Sequence, residues 1–300
     1  MKKKVLIVGG TGFIGFHLVK NLKKIFKIYS LSTNKFSENK IKGVKYFFLD
    51  INKKNNLKIL DKYSFDAVIN AGGYVNHFGK KSIYKNQYFG VKNLIDYFVE
   101  KKMNFFLHLG SSAEYGKLKS PQKENINCSP KMNYGKSKLK STKYLISRIK
   151  KNVLNGIVLR LYQIYGPNQS TNRFLPIIIN KCLVGDNYLC HKSGVYRDFL
   201  YVDDLVDLIV QILKKKEIDD LSGKIFNVGY GKPIELIKVA KKIEKLCNGG
   251  SQSSKIIKLR EDEAKIIFPD TRNVRKIFKW KPKTSFKIGL KKTIKFYQNF

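Results

Sequence analysis

The stretch Val5-Leu-Ile-Val-Gly-Gly-Thr-Gly-Phe-Ile-Gly15 constrains this chain more than any other. Val5 to Val8 is a short, mostly β-branched apolar run and reads as a buried parallel strand. Gly9, Gly12 and Gly15 follow at three-residue spacing, and Phe13, Ile14, His17, Leu18 and Leu22 then recur with helical period. Strand, glycine turn and helix together let a backbone approach a pyrophosphate, while the helix N-terminus offers free N–H donors and a positive dipole end. With these flanks, Gly9, Thr11, Gly12, Phe13, Ile14 and Gly15 are expected to form a dinucleotide loop in a doubly wound parallel α/β sheet.

A second apolar run, Ile28–Leu31, ends at Ser32-Thr-Asn-Lys35. An NAD-binding unit usually has a carboxylate here for the ribose 2′-hydroxyl, and this chain has none before Glu38. Ser32, Thr33 and Lys35 suit a 2′-phosphate, which predicts NADP, with NAD as the alternative. Residues 44–49 read as a third strand closed by Asp50-Ile51, where Asp50 is either an acceptor for the adenine amine or a turn residue. Residues 65–71 form a fourth strand, and the small residues Ala71 and Gly72 at its end let a cofactor pass close to the backbone. Residues 82–102 read as a long helix and 104–109 as a fifth strand, leading into Ser111-Ser-Ala-Glu-Tyr-Gly116.

Tyr134 and Lys138, on a helix expected over 133–150, are four residues apart and share a face. A free phenol titrates near pH ~10; a neighbouring ammonium stabilises the phenolate, and a shift of ~3 units corresponds to ~4 kcal/mol. Such a Tyr exchanges a proton with a carbonyl or hydroxyl oxygen while hydride moves at carbon. In a lysine-rich chain the pair alone is a chance event. The glycine loop, and Ser112 placed 22 positions upstream, give it meaning.

The formal net charge is +38, which raises nucleic acid and membrane surfaces as partners. Only seven of the 60 basic residues are Arg, and the lysines are scattered without a nucleic-acid-binding signature, so a solvated basic surface is the preferred reading. The apolar run after Met1-Lys-Lys-Lys is too short for a leader, and no stretch is long enough to span a bilayer, so the chain reads as cytoplasmic. Cys128, Cys182, Cys190 and Cys247 lack CxxC spacing; they read as reduced thiols, with no metal site.

The sequence resembles the extended short-chain dehydrogenase/reductase family in its nucleotide-sugar branch. The resemblance is carried by residues 9–15, Asp50, 111–116, 134–138, 159–167, 197–204, 226–229 and 280–283. It implies a Rossmann domain and a smaller C-terminal α/β substrate lobe, divided as 1–164 plus 197–228 and 165–196 plus 229–300. It also implies Tyr134 as acid/base, Lys138 on the nicotinamide ribose and Ser112 on the reacting oxygen, with Ser111 the lesser candidate. Arg197 and Arg260 match positions that grip a substrate diphosphate, and Glu263 one that meets the nucleotide ribose. The plain alternative for Arg197-Asp198 is a structural ion pair. Gln163 stands where the family has Asn near the substrate phosphates, and Gln87 departs similarly at the long helix. The family suggests a homodimer.

The branch contains epimerases, dehydratases, decarboxylases and 4-ketoreductases. The absent ribose carboxylate and the compact Ser-Ser-x-Glu-Tyr-Gly form favour an NADPH-dependent reductase of a nucleotide-linked 4-keto-6-deoxy sugar; an NAD-dependent epimerase or dehydratase is the alternative. Glu114 either contacts the sugar or orients its loop. Three local expectations complete the picture. Asp203 and Asp204 N-cap a helix, residues 249–254 form a flexible loop, and a terminal helix packs Ile288, Ile294 and Tyr297 inward.

Overall fold

The structure is a computed structural model that describes residues 2–73, 81–261 and 263–299, with residues 81–86 described in their backbone alone. The chain forms two compact units: residues 1–116, 127–160 and 206–226 make the first, and residues 117–126, 161–205 and 227–300 the second.

In chain order the first elements are β1 (Lys4–Val8), α1 (Phe13–Leu22), β2 (Lys27–Ser32), β3 (Lys45–Phe48), β4 (Ala67–Asn70), α2 (Lys81–Glu100), β5 (Phe106–Ser111), α3 (Asn133–Lys150) and β6 (Gly156–Leu161). There follow β7 (Gln163–Tyr165), α4 (Phe174–Leu183), β8 (Asn187–His191), β9 (Tyr196–Tyr201), α5 (Val202–Lys214), β10 (Ile225–Val228), β11 (Pro233–Glu235), α6 (Leu236–Cys247), β12 (Ser251–Ile257), β13 (Ile266–Ile267), α7 (Arg272–Phe278) and α8 (Phe286–Gln298).

The first unit is built on a seven-stranded sheet of order β10-β6-β5-β4-β1-β2-β3. Its strands read as near-continuous apolar runs because helices cover both faces of a parallel sheet. In β1, Val5, Leu6 and Ile7 are fully buried. Strand order reverses between β1 and β4, the position at which open α/β sheets bind ligands beyond their strand C-termini. One apolar cluster joins Leu6 and Val8 to Leu31, Leu57, Val68, Leu94, Phe98 and Phe106.

In the second unit β9 is central: it pairs antiparallel with β11 and parallel with β13 and β7. That pairing explains why residues 197–205 belong here rather than with the dinucleotide unit, as their sequence suggested. Its core gathers Ile178, Ile179, Tyr188, Phe199, Val239, Ile243, Leu290 and Ile294.

Three local expectations are corrected. Of the loop expected over 249–254, residues 251–254 belong instead to strand β12, paired in parallel with β8. Asp204 does not cap α5; it lies inside the first turn, and its buried carboxylate accepts the backbone N–H groups of Lys283 and Thr284. Ile288 is 51% exposed, because Gly289, Leu290, Thr293, Ile294 and Tyr297 form the inward stripe of α8. Among the described residues, no helix is long and apolar enough to cross a membrane.

Candidate active site

The glycine loop is a cradle that side chains would fill. Gly9 has φ +81°, and its N–H donates to Leu31 O at 2.7 Å. A Cβ on Gly9 would lie 2.8 Å from Gly72 Cα, so the ends of β1 and β4 touch backbone to backbone at the switch point. A Cβ on Gly15 would lie 2.0 Å from Gly9 O, which forbids any side chain where α1 meets the turn. Gly12 precedes α1 as its N-cap residue with no side-chain partner, and the first turn of α1 holds no acidic residue. The bare helix N-terminus and the glycine crossing therefore fit a dinucleotide pyrophosphate. Thr11, Phe13 and Ile14 are half-buried along the same turn.

A polar chain braces the β4 side of the crossing. Asn70, fully buried, accepts the Gly72 N–H at 3.1 Å and donates through Nδ2 to His108 Nδ1 at 3.1 Å. That bond makes His108 Nδ1 an acceptor and leaves its proton on Nε2. Burial holds the imidazole well below its ordinary pKa, and the Lys138 charge pushes the same way. The sequence reading passed over both residues; the signal was a His inside an otherwise apolar strand.

Ser112 and Lys138 both lie at the end of β5, and α3, which carries Tyr134, begins there. Ser112 opens a short 3₁₀ turn over Ser112–Tyr115, capped by Ser111, whose Oγ accepts the Ala113 N–H at 3.2 Å. Helix α3 begins against this turn: a Cβ on Gly135 would lie 2.4 Å from Ala113 O. Glycine at that position lets the start of α3 pack on the turn that Ser112 opens, with its chain neighbour Tyr134 buried. One turn on, Lys138 Nζ donates to Leu109 O at 2.9 Å and faces Gly73, whose Cβ would lie 3.6 Å from it. Lys138 therefore touches both the β5 end and the β4 end. Desolvation pushes its pKa down to about 8, and the Glu114 charge opposes the shift.

Of the two readings of Glu114, the coordinates agree with loop orientation. Its carboxylate is fully buried, accepting the Ser111 N–H at 2.9 Å and Arg160 Nε at 2.9 Å. Both its oxygens brace the loop. Its partner was invisible in the sequence because Arg160 is 46 residues away.

On the ribose side Ser32 is corrected. It is 4% exposed, and its Oγ accepts the Thr11 N–H at 3.2 Å, so it braces the glycine loop instead of facing a phosphate. Thr33 and Lys35 are exposed just beyond β2. Asp50 is a turn residue, its Oδ1 accepting the N–H and Nδ2 of Asn52, each at 2.9 Å, with Ile51 half-buried beside it. Ala71 pairs back to Val8 O at 3.0 Å.

In the second unit Arg197 is 4% exposed. Its Nη1 donates to Tyr196 O at 2.7 Å and Lys265 O at 2.9 Å, and its Nη2 to Glu263. Arg260 also reaches Glu263, at 3.0 Å. The ion pair expected of Arg197 is therefore with Glu263 and not Asp198, whose carboxylate instead accepts the Tyr230 and Gly231 N–H groups. Glu263, proposed for a ribose, neutralises two arginines. Gln163 opens β7 with its side chain exposed. Among the described residues, no cluster of His, Cys, Asp or Glu could hold a metal.

A parallel sheet with a glycine cradle at its switch point, flanked by a Tyr–Lys helix, defines a dinucleotide-dependent α/β enzyme. The chain belongs to the NAD dependent epimerase/dehydratase family, whose model matches residues 5–229. It is 30% identical over 80% of its length to a dTDP-D-glucose 4,6-dehydratase of Dictyostelium discoideum, and spans 61% of that relative. Its fold is that of the UDP-glucose 4-epimerase of Thermotoga maritima, solved with UDP-glucose, at TM-score 0.90, 20% identity and 99% coverage of each chain. The UDP-glucose 4-epimerase of Thermus thermophilus, solved with NAD, matches at TM-score 0.89 and 21% identity, over 98% of this chain and 99% of that one.

Proposed function

We propose that this enzyme holds NAD and converts a nucleoside diphosphate sugar without net redox change, as an epimerase. A dinucleotide held in the glycine cradle would supply reversible hydride transfer at a sugar carbon. Tyr134 takes the proton of the sugar hydroxyl as its carbon is oxidised and gives it back on reduction. Lys138 holds a positive charge one turn away, which favours the Tyr134 phenolate. Ser112 fixes the oxygen that alternates between hydroxyl and carbonyl. The backbone donors of Phe13 to Gly15, at the start of α1, carry the pyrophosphate.

One observation favours epimerisation over dehydration. Elimination of water across two sugar carbons needs an acid and a base besides Tyr134. Glu114 is the sole acidic residue between Glu100 and Glu124, and both its oxygens are engaged within the fold. The chain's relatives and structural neighbours include 4,6-dehydratases as well as epimerases, some solved with NAD, which supports a redox-neutral reaction. A second reading, net reduction of a nucleotide-linked 4-keto-6-deoxy sugar by NADPH, is favoured by the missing carboxylate after β2 and by the exposed Thr33 and Lys35.

The test is to incubate the purified protein, without added NADPH, with UDP- and dTDP-hexoses, and to follow the sugars by NMR. Expected is a 4-epimer with no net change in absorbance at 340 nm. A 4-keto-6-deoxy product would mean dehydration, and stoichiometric NADPH oxidation with 4-keto sugars would mean reduction; either result overturns epimerisation.

A further inference from the structure

The end of β5 carries two opposite charges on three consecutive residues. Lys138 Nζ donates to Leu109 O at 2.9 Å, and Glu114 Oε1 accepts from the Ser111 N–H at 2.9 Å. Gly110, between them, makes the room: a Cβ there would lie 2.5 Å from Glu114 Oε1. Behind the carboxylate stands Arg160 on β6, its Nε 2.9 Å from Glu114 Oε2 and its guanidinium 4.6 Å over the Tyr115 ring. The carboxylate and guanidinium are buried and the ammonium half-buried beside them, a setting in which charges couple more strongly than in open water.

We propose that Glu114 and Arg160 are opposed positioning residues for Lys138: the carboxylate keeps the ammonium charged, and the guanidinium limits that support, so that the pair sets the pH at which Lys138 loses its proton. The proposal rests on the reading of Tyr134 and Lys138 as the proton-handling pair, and deepens it. It gives Glu114 a task that touches neither sugar nor cofactor.

The other titratable groups around this chain of charges are His108 on β5, Tyr134 on α3, Tyr115 in the 3₁₀ turn and Cys128 on the segment leading to α3. Burial lowers the His108 pKa and raises that of the Cys128 thiol, so both are neutral at pH 7. Among the described residues the formal charges that remain are Lys138, Glu114 and Arg160. Burial works against the ammonium and the Glu114 charge works for it. Replacing Glu114 by Gln keeps an acceptor for Ser111 but removes the anion and leaves two cations facing each other. Replacing Arg160 by Gln frees the whole carboxylate charge to act on Lys138. The two substitutions must therefore move Lys138 in opposite directions, whereas loss of packing alone has no sign.

The experiment is a pH titration of the full-length protein labelled with ¹³Cε-lysine, which needs no substrate and no turnover. Failure of the epimerase assignment would leave it readable. The Lys138 resonance is the one that titrates near pH 8 and is missing from Lys138→Met. Expected is a midpoint about one pH unit or more lower for Glu114→Gln, a proton dissociation constant about tenfold or more larger, and a higher midpoint for Arg160→Gln. Each single variant strands a buried charge, so Glu114→Gln/Arg160→Gln is measured too. Its midpoint should fall below wild type and above Glu114→Gln. Shifts of the same sign in the two single variants, an unmoved midpoint in the double variant, or no resonance near pH 8 that depends on Lys138 would overturn the proposal.

Discussion

Lys138→Met tests the electrostatic reading through stability instead of turnover. The ammonium has an ordinary pKa of 10.5 and is pushed down to about 8 in the fold. At ~1.4 kcal/mol per unit, the fold bears about 3 kcal/mol for keeping it charged at pH 7. The unfolded chain binds the extra proton between pH 8 and 10.5, so this contribution makes the wild type gain stability as pH rises through that window. Between pH 7 and 9.5 the gain amounts to about 2 kcal/mol. Met fills a similar volume and cannot titrate. It gives up the bond to Leu109 O, a constant loss of about 1.5–3 kcal/mol that does not vary with pH. The assay is urea denaturation of both proteins at pH 7 and 9.5, followed by circular dichroism. The stability difference, variant minus wild type, should fall by about 2 kcal/mol from the lower pH to the higher. A difference independent of pH would refute a desolvated, charged Lys138, and with it the support for the Tyr134 phenolate.

Two further outcomes follow from the same geometry. Tyr134→Phe should lower turnover by about 10²- to 10⁴-fold while NAD binding, followed by calorimetry, stays within a few-fold of wild type; undiminished turnover would remove Tyr134 from proton transfer. Gly15→Ala puts a methyl 2.0 Å from Gly9 O, so it should abolish NAD binding and cost about 1–3 kcal/mol or more of stability, read as a lower melting temperature.

Much of the dinucleotide unit was legible in the sequence because its signals are local. The Val5–Val8 run, the glycines after it and the Tyr134–Lys138 spacing each lie within one turn or one strand, where periodicity and backbone sterics act directly. These determined the parallel α/β class, the glycine cradle and the helical Tyr–Lys pair. Tertiary structure alone decided the partners of the buried charges. Glu114 meets Arg160 across 46 positions, Arg197 meets Glu263 across 66, and Asp204 meets Lys283 across 79. A buried charge must find a partner wherever the fold brings one, and no spacing rule says where. The same holds for Ser32, which the ribose logic directed outward and the glycine loop claimed, and for residues 251–257, whose strand exists because β8 offers an edge. The chain's own order fixes where backbone can bend and which faces are apolar. Which polar group satisfies which is settled only once the sheet has closed and water has left.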